Sequence, residues 1–235
     1  MRPIRGVLFD KDGTLVDFQA TWSAVARAMA LEAVEGDAAR ARDLLTLAGF
    51  DENTGSFVAD SVFAAGTNED VVRLWHPALE GESLTARVGQ YEAYTSAAGA
   101  ASAVPVAGVL PALRSLRDAG YLLGLATNDS ADGAERTVKA LGVADLFSAT
   151  LGYDSVKNPK PAPDMVHRFA QLNGLEASEM AFVGDNAHDM AAGRAAGCGL
   201  VVGVLSGTGR RETLEPLADV ILASVAELPA FLAGR

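Results

Sequence analysis

Asp10 and Asp12 stand two residues apart at the end of a short apolar run, in the stretch VLFDKDGTLVD that covers residues 7–17. Val7, Leu8 and Phe9 have the pattern of a buried strand, so Asp10 lies where the chain leaves the core. Carboxylates crowded at such a point repel one another, and a cation, a proton or hydrogen-bond donors must offset the repulsion. The pair is therefore a candidate reaction site. Asp-Gly at 12 and 13 is also ordinary turn chemistry, so its meaning depends on what the chain places beside it. In an open parallel sheet, ligands bind outside the carboxyl ends of the strands. The polar residues that follow each apolar run are Asp10 and Asp12, Thr127 with Asn128, the Lys157–Lys160 segment, and Asp185 with Asp189. Four carboxylates, a hydroxyl, an amide and an ammonium are what a Mg²⁺-dependent phosphoryl-transfer site requires.

The elements that position this set are legible as an α/β pattern. From about Val104 the chain alternates apolar strands with amphipathic helices, as in a parallel sheet covered on both faces. Leu110, Leu113 and Leu116 share a helix face before Gly120, and YLLGLATND follows as strand and turn. Helices near 132–141 and 164–173 alternate with strands at 149–151 and in MAFVGDN. A further helix reaches about Ala196, ahead of GLVVGVLSG and DVILAS. With Val7–Phe9 this makes about six strands, most of them continuous apolar runs suited to burial on both faces. Residues 17–99 interrupt the series. They are Ala-rich and mostly helical, with Trp22, Val25, Ala26 and Met29 on one face, so a helical insertion is expected after the first strand. Within it, residues 49–66 are turn-rich and read as a hairpin or long loop.

Composition narrows the function classes. At 235 residues and 49% apolar, the chain suits one large domain, or a core with one insertion, and can bury a substantial interior. No run approaches the roughly 20 residues needed to cross a bilayer, and the N-terminus lacks a leader-like apolar stretch, so a cytoplasmic, membrane-free protein is expected. A net charge of −11 argues against a nucleic-acid partner. Residues 17–99 carry 13 acidic groups, five arginines and no lysine. Cys198 is the only cysteine and reads as a small buried thiol.

The motifs FDKDGT, ATND, KPAPD and VGDNAHDMAAGRAAG, in that order, resemble those of the haloacid dehalogenase superfamily phosphatases, in particular the phosphoglycolate phosphatase-like group with a C1-type helical cap. The resemblance implies a Rossmann-like three-layer core formed by residues 1–16 and 100–235, with a cap formed by 17–99. It implies Mg²⁺-dependent hydrolysis of a small phosphate monoester through an aspartyl-phosphate, the substrate being a small phosphorylated metabolite and the protein a monomer or homodimer. Carried over by position, Asp10 is the nucleophile and Asp12 the acid–base partner. Thr127 and Asn128 hold phosphoryl oxygens through a hydroxyl and backbone N–H groups, and Lys160 neutralises charge on phosphate and on Asp10, with Lys157 as its nearest rival. Asp10, the backbone carbonyl of Asp12, and Asp185 hold the metal, and Asp189 orients a metal-bound water or Lys160. Lys11 is expected to point away from Asp10 and only to tune the local potential, and His188 to lie on the surface.

Three rival functions share such a core. A phosphomutase of the β-phosphoglucomutase type would depend on a bisphosphate activator. A pyrophosphatase or phosphonatase would differ in the cap, the phosphonatase needing a cap lysine that this chain lacks. A non-catalytic binding protein is the third, set against the presence of every acidic position. Whether Arg27, Arg73 or Arg87 faces the site from the cap is open at this level.

Overall fold

Strand β1 (Gly6–Phe9) is four consecutive buried residues, and the chain that leaves it enters helices before the sheet resumes. The computed structural model describes residues 3–235. Asp17 caps helix α1 (Phe18–Ala33), its Oδ1 accepting the Ala20 N–H at 2.9 Å, so the third aspartate of the opening stretch serves local structure. Phe18, Trp22, Val25, Ala26 and Met29 are the buried stripe of α1, as their spacing predicts. There follow α2 (Ala38–Leu47), the hairpin strands β2 (Phe50–Asp51) and β3 (Ser56–Phe57), α3 (Val62–Ala65), α4 (Asn68–Trp75) and α5 (Gly81–Ser102). The turn-rich stretch is thus a hairpin that runs on into the single turn of α3. The Phe63 ring of that turn stacks on Phe57 at 4.6 Å. This stacking gives the VFAA segment a packing reason that its own short sequence does not contain.

The second part of the chain builds the sheet: α6 (Val109–Asp118), β4 (Leu122–Ala126), α7 (Ala131–Ala140), β5 (Phe147–Leu151), α8 (Asp164–Asn173), β6 (Met180–Gly184), α9 (Ala187–Ala196), β7 (Leu200–Val204), α10 (Arg211–Leu214), β8 (Val220–Leu222) and α11 (Leu228–Ala233). The six strands are parallel in the order β5-β4-β1-β6-β7-β8. Alternate residues of β1 serve opposite layers. Val7 and Phe9 join Leu113, Leu116 and Val138 from α6 and α7, while Leu8 joins Met165, Val166 and Phe169 from α8. The fold is an α/β sheet between two helical layers, with a mostly helical insertion whose own apolar core contains Trp22, Phe50, Phe57, Val72, Trp75 and Tyr91. The two chain crossings between these regions run side by side. Asp17 N–H donates to Val104 O at 2.8 Å, and Val106 N–H to Leu15 O at 3.0 Å. Among the described residues no helix is long and apolar enough to cross a membrane.

Candidate active site

The sheet register brings the motif residues to one edge. Phe9 pairs with Leu125 on one side and Val183 on the other, so the residues just beyond these three strands share a level. Asp10, Thr127 and Asp185 are those residues, and β1 is the strand at which the chain order reverses. Such a switch point opens a crevice above the strand ends. One turn into α9, Asp189 looks back over the same crevice, its Oδ2 accepting the Asn186 N–H at 3.0 Å.

Lys160 ties the set together. Its Nζ lies 2.5 Å from Asp10 Oδ1 and 2.6 Å from Asp189 Oδ1, with all three side chains buried. Asp185 is held separately, accepting from Thr208 N–H at 2.8 Å and from the Thr14 hydroxyl at 3.3 Å. Gly13, at φ +82°, permits this approach, since a Cβ there would stand 2.5 Å from Asp185 Oδ2. Burial pushes the Asp10 carboxyl up to about 6, against the attraction of Lys160 and with repulsion from Asp189. Burial, and then repulsion from Asp10 and Asp189, holds Asp185 well above the ordinary carboxylate range. For Lys160 burial works downward, but Asp10 and Asp189 outweigh it and keep the ammonium charged.

The donor set fits a hard divalent cation. One oxygen from each of Asp10, Asp185 and Asp189 lies within 4.8 Å of the others. Three buried carboxylates around one ammonium leave negative charge uncompensated, and oxygen-only ligands suit Mg²⁺-like ions rather than thiophilic metals. Asp189 stands inside this acidic group as well as on Lys160, so both of the roles considered for it have a geometric basis.

The Asp12 carboxylate is turned to different partners. Its Oδ1 accepts the Trp22 indole N–H at 2.5 Å, and its Oδ2 lies 3.0 Å from Lys11 Nζ. Burial raises the Asp12 carboxyl and Lys11 lowers it, the balance being upward. The expectation for Lys11 is corrected here. The side chain does point away from the cluster around Asp10, but it is only 2% exposed and pairs with Asp129 Oδ2 at 2.6 Å as well as with Asp12. Alternation gave that direction but not the burial or the partners, because the strand has ended at Phe9 and Lys11 begins a tight turn, its carbonyl accepting from Leu15 and Val16. The expectation for His188 is corrected too. It is half-buried, lines the crevice, and its Nδ1 is enclosed with no partner among the described residues.

Thr127 is buried, its Oγ1 accepting the Asp129 N–H at 3.1 Å. The Asn128 side chain is occupied elsewhere. Its amide donates to Lys160 O and to Ala65 O, each at 3.0 Å, and its Oδ1 accepts the Lys160 N–H at 3.1 Å. Asn128 therefore latches the inserted region to the Lys160 loop, while the neighbouring main-chain N–H groups of Thr127 and Asp129 donate to Leu151 O and Thr127 Oγ1. Lys157, the rival lysine, is exposed. Sequence reasoning missed Trp22, which reads only as a core position of its helix, and Asp129, which it quoted within ATND without a role. The one signal for Lys11 was a lysine inside an otherwise apolar and acidic run.

The crevice is a cavity of about 80 Å³. Its core-side walls include Asp10, Asp12, Asn128 and Lys160, and the insertion roofs it with Phe18, Trp22, Phe63, Thr67, Asn68 and Thr95. Arg27, Arg73 and Arg87 do not line it. Arg27 lies 4.6 Å over the Phe50 ring, Arg73 pairs with Glu69 at 2.6 Å, and Arg87 faces Glu32 at 3.5 Å.

Comparisons with known proteins show the family and the fold. A family model described as haloacid dehalogenase-like hydrolase matches residues 4–197. The chain is 32% identical, over 234 aligned residues, to the phosphoglycolate phosphatase of Shigella boydii serotype 4, covering 96% of this chain and 91% of that protein. At the same coverage it is 31% identical to the phosphoglycolate phosphatase of Escherichia coli K12. In fold it is similar to the crystal structure of a predicted phosphoglycolate phosphatase from Haemophilus somnus 129pt, with a TM-score of 0.73, 24% identity, and 98% and 99% of the two chains covered. A haloacid dehalogenase-like family hydrolase of Streptococcus pneumoniae gives a TM-score of 0.69 at 22% identity, with 97% and 98% covered.

Proposed function

The chain belongs to the haloacid dehalogenase-like hydrolase family and is a phosphatase, and from that premise we propose that it cleaves a small phosphate monoester with Asp10 as nucleophile and Asp12 as proton carrier. The observation that carries this assignment of roles is the division of the two aspartates between separate lysines. Lys160 binds Asp10 and Lys11 binds Asp12, so the carboxylates of one short motif are held for different tasks.

In the first step an oxygen of Asp10 attacks phosphorus, the bond from phosphorus to the leaving oxygen breaks, and the Asp12 carboxyl passes its proton to that oxygen. In the second, Asp12 takes a proton from water as the water oxygen bonds to phosphorus and the aspartyl-phosphate bond breaks. Lys160 offsets charge that spreads onto the phosphoryl oxygens, and the Thr127 hydroxyl with the main-chain N–H of Asn128 orients them. Asp10, Asp185 and the Asp12 carbonyl would hold Mg²⁺, with Asp189 in the same acidic group. When bound, the ion would supply positive charge that offsets the negative charge of the transferring phosphoryl group. The rings of Phe18, Trp22 and Phe63 in the roof limit bulk water around the transferring group.

Phosphoglycolate, named for the relatives, is the first substrate to try, within the wider class of small phosphorylated metabolites. Phosphate release is measured on a panel of such esters and on p-nitrophenyl phosphate, with Mg²⁺ and with EDTA. Mg²⁺-dependent release is expected. Turnover that persists in EDTA overturns the metal assignment, and dependence on an added bisphosphate with no phosphate release points to the mutase instead.

A further inference from the structure

The phosphoryl-transfer steps leave Lys11 without a task. An ammonium buried to 2% exposure is tolerated only where its charge is matched, and here two carboxylates match it. The arrangement is anchored on every side. Asp129 Oδ2 holds Lys11 at 2.6 Å while its Oδ1 accepts the Ser130 N–H at 2.7 Å, which fixes the pair to the loop after β4. The Trp22 ring lies 5.0 Å from Lys11 Nζ, and its indole N–H reaches the Asp12 oxygen that Lys11 does not hold.

Both oxygens of Asp12 are therefore restrained, one by the core through Lys11 and one by the first helix of the insertion through Trp22. Neither partner touches the group formed by Asp10, Asp185 and Asp189, which Lys160 serves alone among the lysines. A free carboxylate two residues from Asp10 would be drawn to any cation held there, and would then be lost to proton transfer.

We propose that Lys11 is a positioning residue that holds the Asp12 carboxyl at the leaving-group side of the crevice and away from the metal-binding carboxylates, with Trp22 completing the hold from the cap. This rests on the reading of Asp12 as the proton carrier. The effect of losing Lys11 then depends on how much proton the leaving group needs.

The test compares kcat/KM, which reports the chemistry up to release of the alcohol, for an alkyl phosphate and for p-nitrophenyl phosphate. In Lys11→Met the alkyl ester is expected to lose about 100-fold, at the low end of what a proton-transfer group contributes, and the activated ester about fivefold. Trp22→Phe keeps the ring and removes the N–H, so it should shift the ratio of the two esters in the same direction by a smaller factor. Because Lys11→Met leaves two buried carboxylates unpaired, Lys11→Met/Asp129→Asn is made alongside it and should show the same selectivity shift if the single variant folds poorly. Equal losses on both esters in these variants would mean a scaffold ion pair and would overturn the proposal, as would an unchanged ratio. A wild-type protein that releases phosphate from neither ester has a different signature: it removes the phosphatase reading itself, and this inference with it.

Discussion

The sheet region and the helical insertion both bury a core, but they bury different things. Beneath the crevice the sheet region encloses Asp10, Lys11, Lys160, Asp185 and Asp189, all under 9% exposed. The insertion encloses aromatic and aliphatic side chains and leaves its arginines on outer faces or over rings. Burying charge is destabilising unless the charges are matched, so a protein confines it to where chemistry needs it. The insertion supplies the complement, a roof without charged side chains in which the rings of Phe18, Trp22 and Phe63 stand beside Thr67, Asn68 and Thr95, and which strengthens electrostatic contacts beneath it by keeping bulk water at a distance.

If that division is right, substitutions of charge should be drastic below the roof and nearly silent above it. The largest effect is expected at the nucleophile. Asp10→Asn should lower turnover by about 10⁴-fold or more and abolish the covalent phosphoenzyme, because an amide is a very poor nucleophile at phosphorus. Intact-mass measurement after rapid quench checks this, and an adduct on Asp10→Asn comparable with wild type would break the assignment.

Next comes the ammonium that joins Asp10 to Asp189. Lys160→Ala should reduce kcat/KM by roughly 10²- to 10³-fold, as loss of a preorganised charge contact does. Lys157→Ala, at an exposed position, should stay within about twofold of wild type. The reverse order in steady-state kinetics would return the role to Lys157.

The surplus of buried carboxylate has a pH signature that the insertion should not share. The Asp10 carboxyl is raised from 3.8 to about 6, chiefly by burial. A raised value in the fold means that the folded state holds the proton more tightly than the unfolded chain does. Its contribution to stability is full below about 3.8 and is lost as pH rises through about 6, by up to roughly 3 kcal/mol. A divalent cation that replaces the proton restores what is lost, so the gain in Tm on adding Mg²⁺ should be larger at about pH 7.5 than at about pH 5. Equal gains at both pH values would show that no proton competes with the ion.

The smallest effect tests the roof. Arg73 and Glu69 form an exposed pair one helical turn apart on α4, worth about 0.5 kcal/mol or less. Arg73→Ala should leave kcat/KM within about twofold and barely move Tm. A large loss of activity would mean that a cap arginine reaches substrate after all, and the contrast between the regions would have to be redrawn.

The comparison also explains what was legible beforehand. Strand ends, helix stripes and helix stops are local properties, so the α/β pattern, the buried face of α1 and the Gly120 stop after α6 could be read from spacing alone. Parallel pairing then places the residue after each strand at one edge, so Asp10, Thr127 and Asp185 could be nominated together without coordinates. The short helix α3 could not be foreseen, because its reason is a ring stack on the hairpin rather than a periodicity of its own.

What the sequence by itself determined, then, is which residues at the ends of the core strands reach the crevice, because that follows from hydrophobic period and strand direction. What the tertiary structure decided is which charge meets which. Lys11 and Asp129 are 118 residues apart, Asn128 and Ala65 are 63 apart, and Trp22 reaches Asp12 only because a helix of the insertion folds back over the strand ends. Alternation predicts a direction but not a partner. At Lys11 the strand is over, and the partner of a buried ammonium is set by the loops and helices that close around it, where the gain from pairing opposite charges outweighs any local preference.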